Sequence, residues 1–345
     1  MKLGLSIGYS GREIGMDMTR IKEAENLGFD SVWTAEAYGS DAVSPAAWIL
    51  AQTTKIKVGT SIMQIPARTP ANAAMTAMTL DALSGGRFIM GLGASGPQVV
   101  EGWHGVGYKR PVTRTKEYIA IIRKILEREG PVTFDGYHYQ LPNRGEKSVG
   151  LGKPLKSILH GNPNIKIYTA SITNAGIEAS AEVANGVFPL WMNPERYDIF
   201  APNIQKGFDK TTDKTLQNYD IIPSVTVIEG DDLEACREPI KQHMALYIGG
   251  MGAREKNFYN DYAKRLGYED AAVKIQDLYL DGKKEEAAAA VPNQLVDDIA
   301  LIGPRERIRE QLQPWKEAGK KRHVDTMMIG TQSIETMRFL AEEML

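Results

Sequence analysis

The feature that most limits what this chain can become is a rhythm near its start, where four strand-like runs alternate with helical stretches in direct succession. Apolar residues dominate 3–7; Met18, Ile21, Ala24 and Leu27 then recur at helical spacing until Gly28, a residue suited to close a helix. A second strand is predicted over 31–35 and a helix over 44–51, with Pro45 in its first turn. A third strand over 56–63 leads to a helix over 70–83 that stops at Gly85-Gly86. A fourth over 87–93 leads to a long helix over 112–129. Strands joined by helices in this way run parallel, with right-handed crossovers.

After residue 130 the rhythm breaks. A hairpin-like piece (132–134 and 137–139) and a Gly/Lys/Pro-rich loop fill the stretch to 163. Strands are predicted again over 165–170, 187–190 and 221–227, with a helix from Asn174 between the first two. Helical sequence then runs from Asp231 to about Ala300, and the last unit is a helix over 304–318, a strand over 326–330 and a helix from Ser333. Eight strands without an evident linker predict a closed (β/α)8 TIM barrel in the α/β class. It is expected to form one domain over 1–345, with insertions at about 130–163 and 231–296.

Composition narrows the function classes. Forty-one basic against forty-three acidic side chains leave a net charge of −2, which argues against an overall basic field for nucleic acid. A single cysteine, Cys236, excludes an internal disulfide and a CxxC metal site and favours a reducing compartment. The first residues read as a strand rather than a signal peptide, and no window approaches about eighteen uninterrupted apolar residues. A cytoplasmic protein with neither nucleic-acid nor membrane partners is expected.

Gly91-Leu92-Gly93-Ala94-Ser95-Gly96 matches GxGxxG, but in the fourth unit rather than the first, where dinucleotide fingerprints sit. It reads either as a tight turn or as a ring- or anion-binding turn at the C-terminal mouth of a barrel strand, where barrel chemistry lives. The five histidines form no HExxH and no i,i+4 pair, so no metal site is expected; GxSxG and GxxxxGK[ST] are absent too. Glu36 ends the second strand, placing a carboxylate at the mouth, and Asp41 follows in the loop. Trp103 and His104 lie in the loop after strand four, where they either pack or serve a flat heterocycle. Arg144, Lys147, Lys153 and Lys156 make a basic loop, either a solvated face or a receiver for an anionic tail near the mouth.

Several stretches together resemble the bacterial luciferase-like superfamily. Leu27-Gly28-Phe29-Asp30-Ser31-Val32-Trp33 is similar to its entry into strand two. Val58-Gly59-Thr60-Ser61-Ile62, followed by Ala67-Arg68-Thr69-Pro70, is similar to its third strand and the helix start beyond. The run from Leu80 to Gly93 resembles its "LD-x-LS-x-GR-x-x-x-G-x-G" signature, and Ala181-Glu182-Val183-Ala184-Asn185-Gly186 its approach to strand six, with Asn185 in place of the usual Asp. Lys109-Arg110-Pro111 resembles the methylenetetrahydromethanopterin-reductase-like branch. The resemblance covers roughly 1–200 and 296–345.

The superfamily divides between FMN-using monooxygenases and enzymes of coenzyme F420, a deazaflavin. Glu36-Ala37-Tyr38-Gly39-Ser40-Asp41, Ser95-Gly96-Pro97 and Glu101-Gly102-Trp103-His104-Gly105 resemble the deazaflavin branch. Glu36-Ala37 stands where glucose-6-phosphate-oxidising relatives carry Asp-His. The resemblance implies hydride transfer between F420 and a small organic substrate, with FMN-dependent monooxygenation or catalytically silent flavin binding as alternatives. It implies Thr60, Ser61 and Ile62 behind the ring, with a cis peptide joining Ser61 to Ile62. Gly93, Ala94, Ser95 and Gly96 would line the ring and side chain, with Ala170 and Ser171 on the phosphate side. Glu36 would be the nearest ionisable, catalytic group, and the protein a homodimer.

Overall fold

The computed structural model describes residues 1–146 and 148–345. Its first half follows the expected rhythm. Strand β1 (Lys2–Gly8) leads to α1 (Met18–Asn26), β2 (Ser31–Thr34) to α2 (Val43–Gln52), and β3 (Lys57–Thr60) and β4 (Met63–Gln64) to α3 (Pro70–Ser84). Strand β5 (Phe88–Gly93) is followed by a short α4 (Pro97–Gly102) and the long α5 (Pro111–Glu127). The helix ends follow local chemistry. Asp17 caps α1 by accepting from the Arg20 amide, Thr69 caps α3 with Pro70 at its first position, and left-handed Gly85 closes α3. Each such cap stabilises a helix by about 1 kcal/mol.

The second half departs more. The hairpin pairs β6 (Phe134–Asp135) with β7 (Gln140–Leu141), both shifted toward the C-terminus from 132–134 and 137–139. Then come β8 (Ile167–Ala170), α6 (Asn174–Val183), β9 (Gly186–Phe188) and α7 (Ala201–Phe208). The strand expected over 221–227 is two pieces, β10 (Asp220–Ile221) and β11 (Ser224–Glu229), because Pro223 has no amide to give the ladder. Helix α8 (Leu233–Ala245) runs into a π-helical turn, Leu246–Gly250. Helices α9 (Phe258–Arg265), α10 (Glu269–Leu280), α11 (Lys284–Ala289) and α12 (Asn293–Asp297) follow. A strand absent from the sequence reading, β12 (Leu301–Gly303), precedes α13 (Arg305–Lys320), β13 (Thr326–Gly330) and α14 (Ile334–Met344).

All neighbours in the large sheet are parallel, in the order β10-β9-β8-β5-β3-β2-β1-β13-β11-β12. Strand β10, at one end of that path, and β11, next to its other end, are one stretch of chain. The Ile222 amide donates to the Val187 carbonyl (2.9 Å), while the Asp325 and Met328 amides donate to the Ile221 and Pro223 carbonyls (2.9 and 3.0 Å). Residues 220–229 therefore bridge β9 to β13 and close the ring, giving the expected barrel of eight staves.

Alternation along each strand makes two apolar layers. Leu3, Val32, Val58, Met90 and Ile167 face the helices in the main core. Trp33, Ile89, Tyr168, Phe188, Ile222 and Met328 fill the lumen, with Ile62 packed on them. Trp33 meets Phe188 edge-on (5.1 Å, 78°), as Tyr168 does (5.8 Å, 86°), pairings worth about 0.5–1.5 kcal/mol each beyond buried area. Gly59 is required here, since a Cβ would overlap the Trp33 ring.

At the N-terminal ends of the strands, the foot of the barrel, ion pairs ring the lumen. Asp30 meets Lys57 (2.9 Å), Asp220 meets Lys166 (3.5 Å) and Asp325 meets Arg322 (3.2 Å). The Tyr168 hydroxyl donates to Asp220 (2.6 Å); burial, then this carboxylate, push its pKa up.

Candidate active site

The rim of the mouth is built from small residues above the aromatic floor. Ser6 and Gly8 stand at the end of β1, Gly93 at the end of β5, Ala170 at the end of β8 and Gly330 at the end of β13. A Cβ at Gly8 would meet nothing within 4 Å, so the rim there faces open space.

Strand three breaks at this level. The bond between Ser61 and Ile62 is cis, as expected. The Ser61 amide donates to the Thr34 carbonyl (2.6 Å) and the Ile62 carbonyl accepts from the Glu36 amide (3.2 Å), so the break is tied to the end of β2. Ile62 lies over Gly93, whose Cβ would come 2.6 Å from Ile62 Cγ1. Ser61, Ile62 and Gly93 thus form one wall. Thr60 ties this wall to its neighbour: its hydroxyl donates to the Gly91 carbonyl (2.7 Å) and accepts from the Gly91 amide (3.0 Å), a strand-to-strand link. Ala94 continues the wall, and Ser95 turns it with φ 61°, a conformation costing a non-glycine residue about 1–3 kcal/mol. Gly96 then starts α4.

Glu36 is not a free acid. Arg68 grips its carboxylate through both terminal nitrogens (2.5 and 3.0 Å), and the Gln64 and Ala42 amides donate to its two oxygens (2.7 and 2.9 Å). The side chains of Arg68 and Glu36 are 17% and 7% exposed. Burial alone would lower the Arg68 pKa, but the Glu36 hydrogen bonds and charge raise it on balance. The arrangement clamps the loop after β2 to the end of β4 and leaves no carboxyl lone pair idle. Asp41, 4.0 Å from Arg68, caps the start of α2. The nearest ionisable group of the expected site is therefore a brace.

Across the rim, Ala170 is exposed and Ser171 follows it into α6. The Ser171 hydroxyl covers Gly176, where a Cβ would overlap it, and Thr173 caps the helix. Arg265, from α9, reaches the Ile172 carbonyl and the Asn174 side chain. A helix N-terminus, hydroxyls and a guanidinium make this corner favourable to an anion.

The basic loop lies elsewhere. Lys156 reaches the Glu129 carbonyl (3.5 Å), and Arg128 donates to the Ser157 carbonyl (2.7 Å), both past the C-terminal end of α5 and so at the foot. The expectation that this loop sits near the mouth is overturned for Lys156, because the chain returns to the foot through the Val132–Leu155 bridge. Lys147 lies outside the described residues.

Two features of the mouth escaped sequence reading. Tyr247 meets Trp191 and Tyr259 edge-on (72°, and 4.7 Å at 87°), Trp191 and Tyr259 are tilted on each other, and Tyr9 and Tyr38 are among the groups near Tyr247, so the π-helical turn hangs an aromatic wall over the rim. A cleft of about 840 Å³ opens beside the ends of β11 and β13, touching Ser6, Thr226, Glu229 and Gly330. It lies across the mouth from Ser61 and Gly93, so cavity size alone does not point to those residues. Among the described residues no cluster of His, Cys, Asp and Glu could hold a metal ion, and no helix is long and apolar enough to cross a membrane.

The family model described as luciferase-like monooxygenase matches residues 7–322. A Mycobacterium tuberculosis protein described as a coenzyme F420-dependent oxidoreductase of inferred activity is 41% identical over 344 residues, covering 99% of this chain and 98% of that one. Among solved structures, the F420-dependent tetrahydromethanopterin reductase of Methanopyrus kandleri superposes with a TM-score of 0.75 at 20% identity, covering 99% and 97% of the two chains. An F420-dependent secondary alcohol dehydrogenase also gives 0.75, at 17% identity and 100% and 98% coverage.

Proposed function

Because this chain belongs to the luciferase-like monooxygenase family, we propose that it is an F420-dependent oxidoreductase that passes a hydride between the deazaflavin and a small organic substrate. The observation that carries the reading is the wall of Ser61, Ile62 and Gly93 above an aromatic floor, in a chain whose full-length relative is described as F420-dependent. When bound, the deazaflavin supplies a ring carbon that gives or takes an electron pair with hydrogen.

The residues present fit such a group. Ile62 and Gly93 offer a flat backing, Ala94, Ser95 and Gly96 continue it, and Ser171, the start of α6 and Arg265 suit a phosphate in the tail. The Glu36–Arg68 brace holds the backing still, which matters because hydride transfer depends on fixed distance and alignment. Tyr247 and Tyr259, meeting edge-on, would bound the space above the rim. We further propose that residues 1–345 act as one catalytic unit in the cytoplasm. Pairing of two copies is supported by Trp48 and Met75, exposed on the neighbouring helices α2 and α3.

The test is a side-by-side spectral titration of the purified protein with F420 and with FMN. Tighter binding of F420 is the expected result. Tighter binding of FMN, with oxygen consumption when the flavin is reduced, would replace this reading with monooxygenation.

A further inference from the structure

With Glu36 committed to Arg68, the site needs another group to handle the proton that accompanies a hydride. We propose that His104 is that group, acting through Nδ1; the assignment rests on the reading above. His104 follows α4 at the mouth, its amide bonded back to the Val99 carbonyl (3.1 Å). Its Nε2 lies 2.5 Å from Gln64 Oε1. Gln64 is 2% exposed and pairs with Gly93 across the β4–β5 ladder, so the imidazole stands directly against the wall that backs the ring.

The hydrogen bonds determine the tautomer. The Gln64 amide nitrogen donates to the carbonyls of Glu36 (3.3 Å) and Ala37 (3.1 Å). A flipped amide would turn an oxygen onto those two oxygens, so Oε1 must face His104. An amide oxygen only accepts, which makes Nε2 the protonated nitrogen. Nδ1 then carries the lone pair of the neutral ring and takes no hydrogen bond among the described residues. Gln64 can hold the ring equally well when Nδ1 is protonated, since Nε2–H donates in both states. The imidazole can therefore gain and lose a proton without moving.

The surrounding charges are occupied. Glu36 is paired with Arg68, which also neighbours Asp41. Glu101 on α4 accepts from the Tyr108 amide (2.9 Å), and Arg114 on α5 holds the Gly107 carbonyl (2.8 Å). The other histidines are placed differently: His138 between Arg114 and the Arg110 carbonyl, His243 against Tyr247, His323 stacked on Tyr197, and His160 exposed near the foot.

The step balances as follows. In the oxidative direction a substrate C–H bond breaks and its electron pair passes with hydrogen to the oxidised deazaflavin. The proton on the adjacent oxygen or nitrogen passes to Nδ1, a carbon–heteroatom double bond forms, and His104 is left as imidazolium. The reverse direction returns both.

The experiment uses the full chain. Long-range ¹H–¹⁵N spectra of ¹⁵N-histidine-labelled protein, with H104Q to assign the signal, should show a neutral Nε2–H tautomer whose Nδ1 resonance moves when oxidised F420 is added. In parallel, diethylpyrocarbonate, which acylates unprotonated imidazole nitrogen, is mapped by mass spectrometry on the unaltered protein. With F420 at about ten times its Kd, acylation of His104 should slow about tenfold, following the unoccupied fraction, while His160 is unaffected. F420 binding with His104 unprotected, or an Nδ1–H tautomer, overturns the proton assignment alone. Failure of F420 to bind overturns it together with the cofactor reading.

Discussion

Replacing Glu36 by Ala tests whether this residue is a brace. The substitution strands the Arg68 guanidinium, whose side chain is 17% exposed, and removes the acceptors of the Gln64 and Ala42 amides. Breaking a buried, hydrogen-bonded pair by removing one partner costs about 3–5 kcal/mol. With about 2.1 cal/mol/K of unfolding entropy per residue over 345 residues, that loss lowers Tm by about 4–7 °C. Because the pair is shielded, the shift should be nearly the same in low and high salt, unlike that of an exposed pair. Thermal melts of Glu36→Ala, Arg68→Met and the double variant complete a cycle, in which the double variant should lose less than the sum by about 2 kcal/mol. A Tm within about 1 °C of wild type, far below that expected for a broken buried pair, would refute the argument. So would strictly additive losses.

Three further outcomes are expected. Gly93→Val should weaken F420 binding by driving Ile62, 2.6 Å from the added Cβ, off its wall; adding Ile62→Ala should restore binding, and equal affinities in all three proteins would remove the wall from the cofactor site. Lys153→Ala with Lys156→Ala should leave F420 affinity unchanged at any salt concentration, whereas Arg265→Ala should lower it about tenfold in a fluorescence titration; the opposite ranking would return the anionic tail to the basic loop. Burial, then the Arg123 charge, lower the Lys214 ammonium from 10.5 to about 8, although it donates to the Glu182 and Ala184 carbonyls. The unfolded chain therefore binds that proton more tightly, so stability should rise as pH climbs through this window, and Lys214→Met should flatten the rise in Tm; an unaltered slope would exclude Lys214 as its source.

Periodicity exposed the barrel because its strands and helices each carry their own pattern. Leu3 and Leu5 alternate, and Met18, Ile21 and Ala24 follow the helical period whatever they pack against. The reading failed where a short element borrows its partner from afar. Strand β12 is the last three residues of Ile299-Ala300-Leu301-Ile302-Gly303, a run that reads equally well as the end of a helix; only pairing with β11 makes it a strand. Ile221-Ile222 and Ser224-Val225 look like one strand, yet Pro223 divides its ladder. At the site, Ser61, Ile62 and Gly93 were legible through resemblance, and the structure sets them side by side. Glu36 was visible as a carboxylate at a strand end, but nothing local marks Arg68, 32 positions on, as its partner. Of the two readings of the basic loop, the one near the mouth fails for Lys156, because composition does not say at which end of the barrel a connection lies. Arg265 and Tyr247 fall in the stretch that no motif covered.

The pairing of β11 with β12 has a consequence for how this scaffold changes over time. Val227 lies beside Leu301 and Glu229 beside Gly303, so the chain leaves the barrel and comes back at neighbouring points. Everything between, from α8 through the π-helical turn to α12, is joined to the barrel along the chain only at this two-strand plate, its other ties being side-chain bonds such as those of Arg265. Its end-to-end distance is fixed there, and lengthening such an excursion adds only about 0.6 kcal/mol of closure entropy per doubling. Drift in these helices can reshape the aromatic wall of Trp191, Tyr247 and Tyr259 while the closure hydrogen bonds of Ile222, Asp325 and Met328 stay as they are. The barrel and the lineage of molecules it receives are thereby free to evolve at different rates.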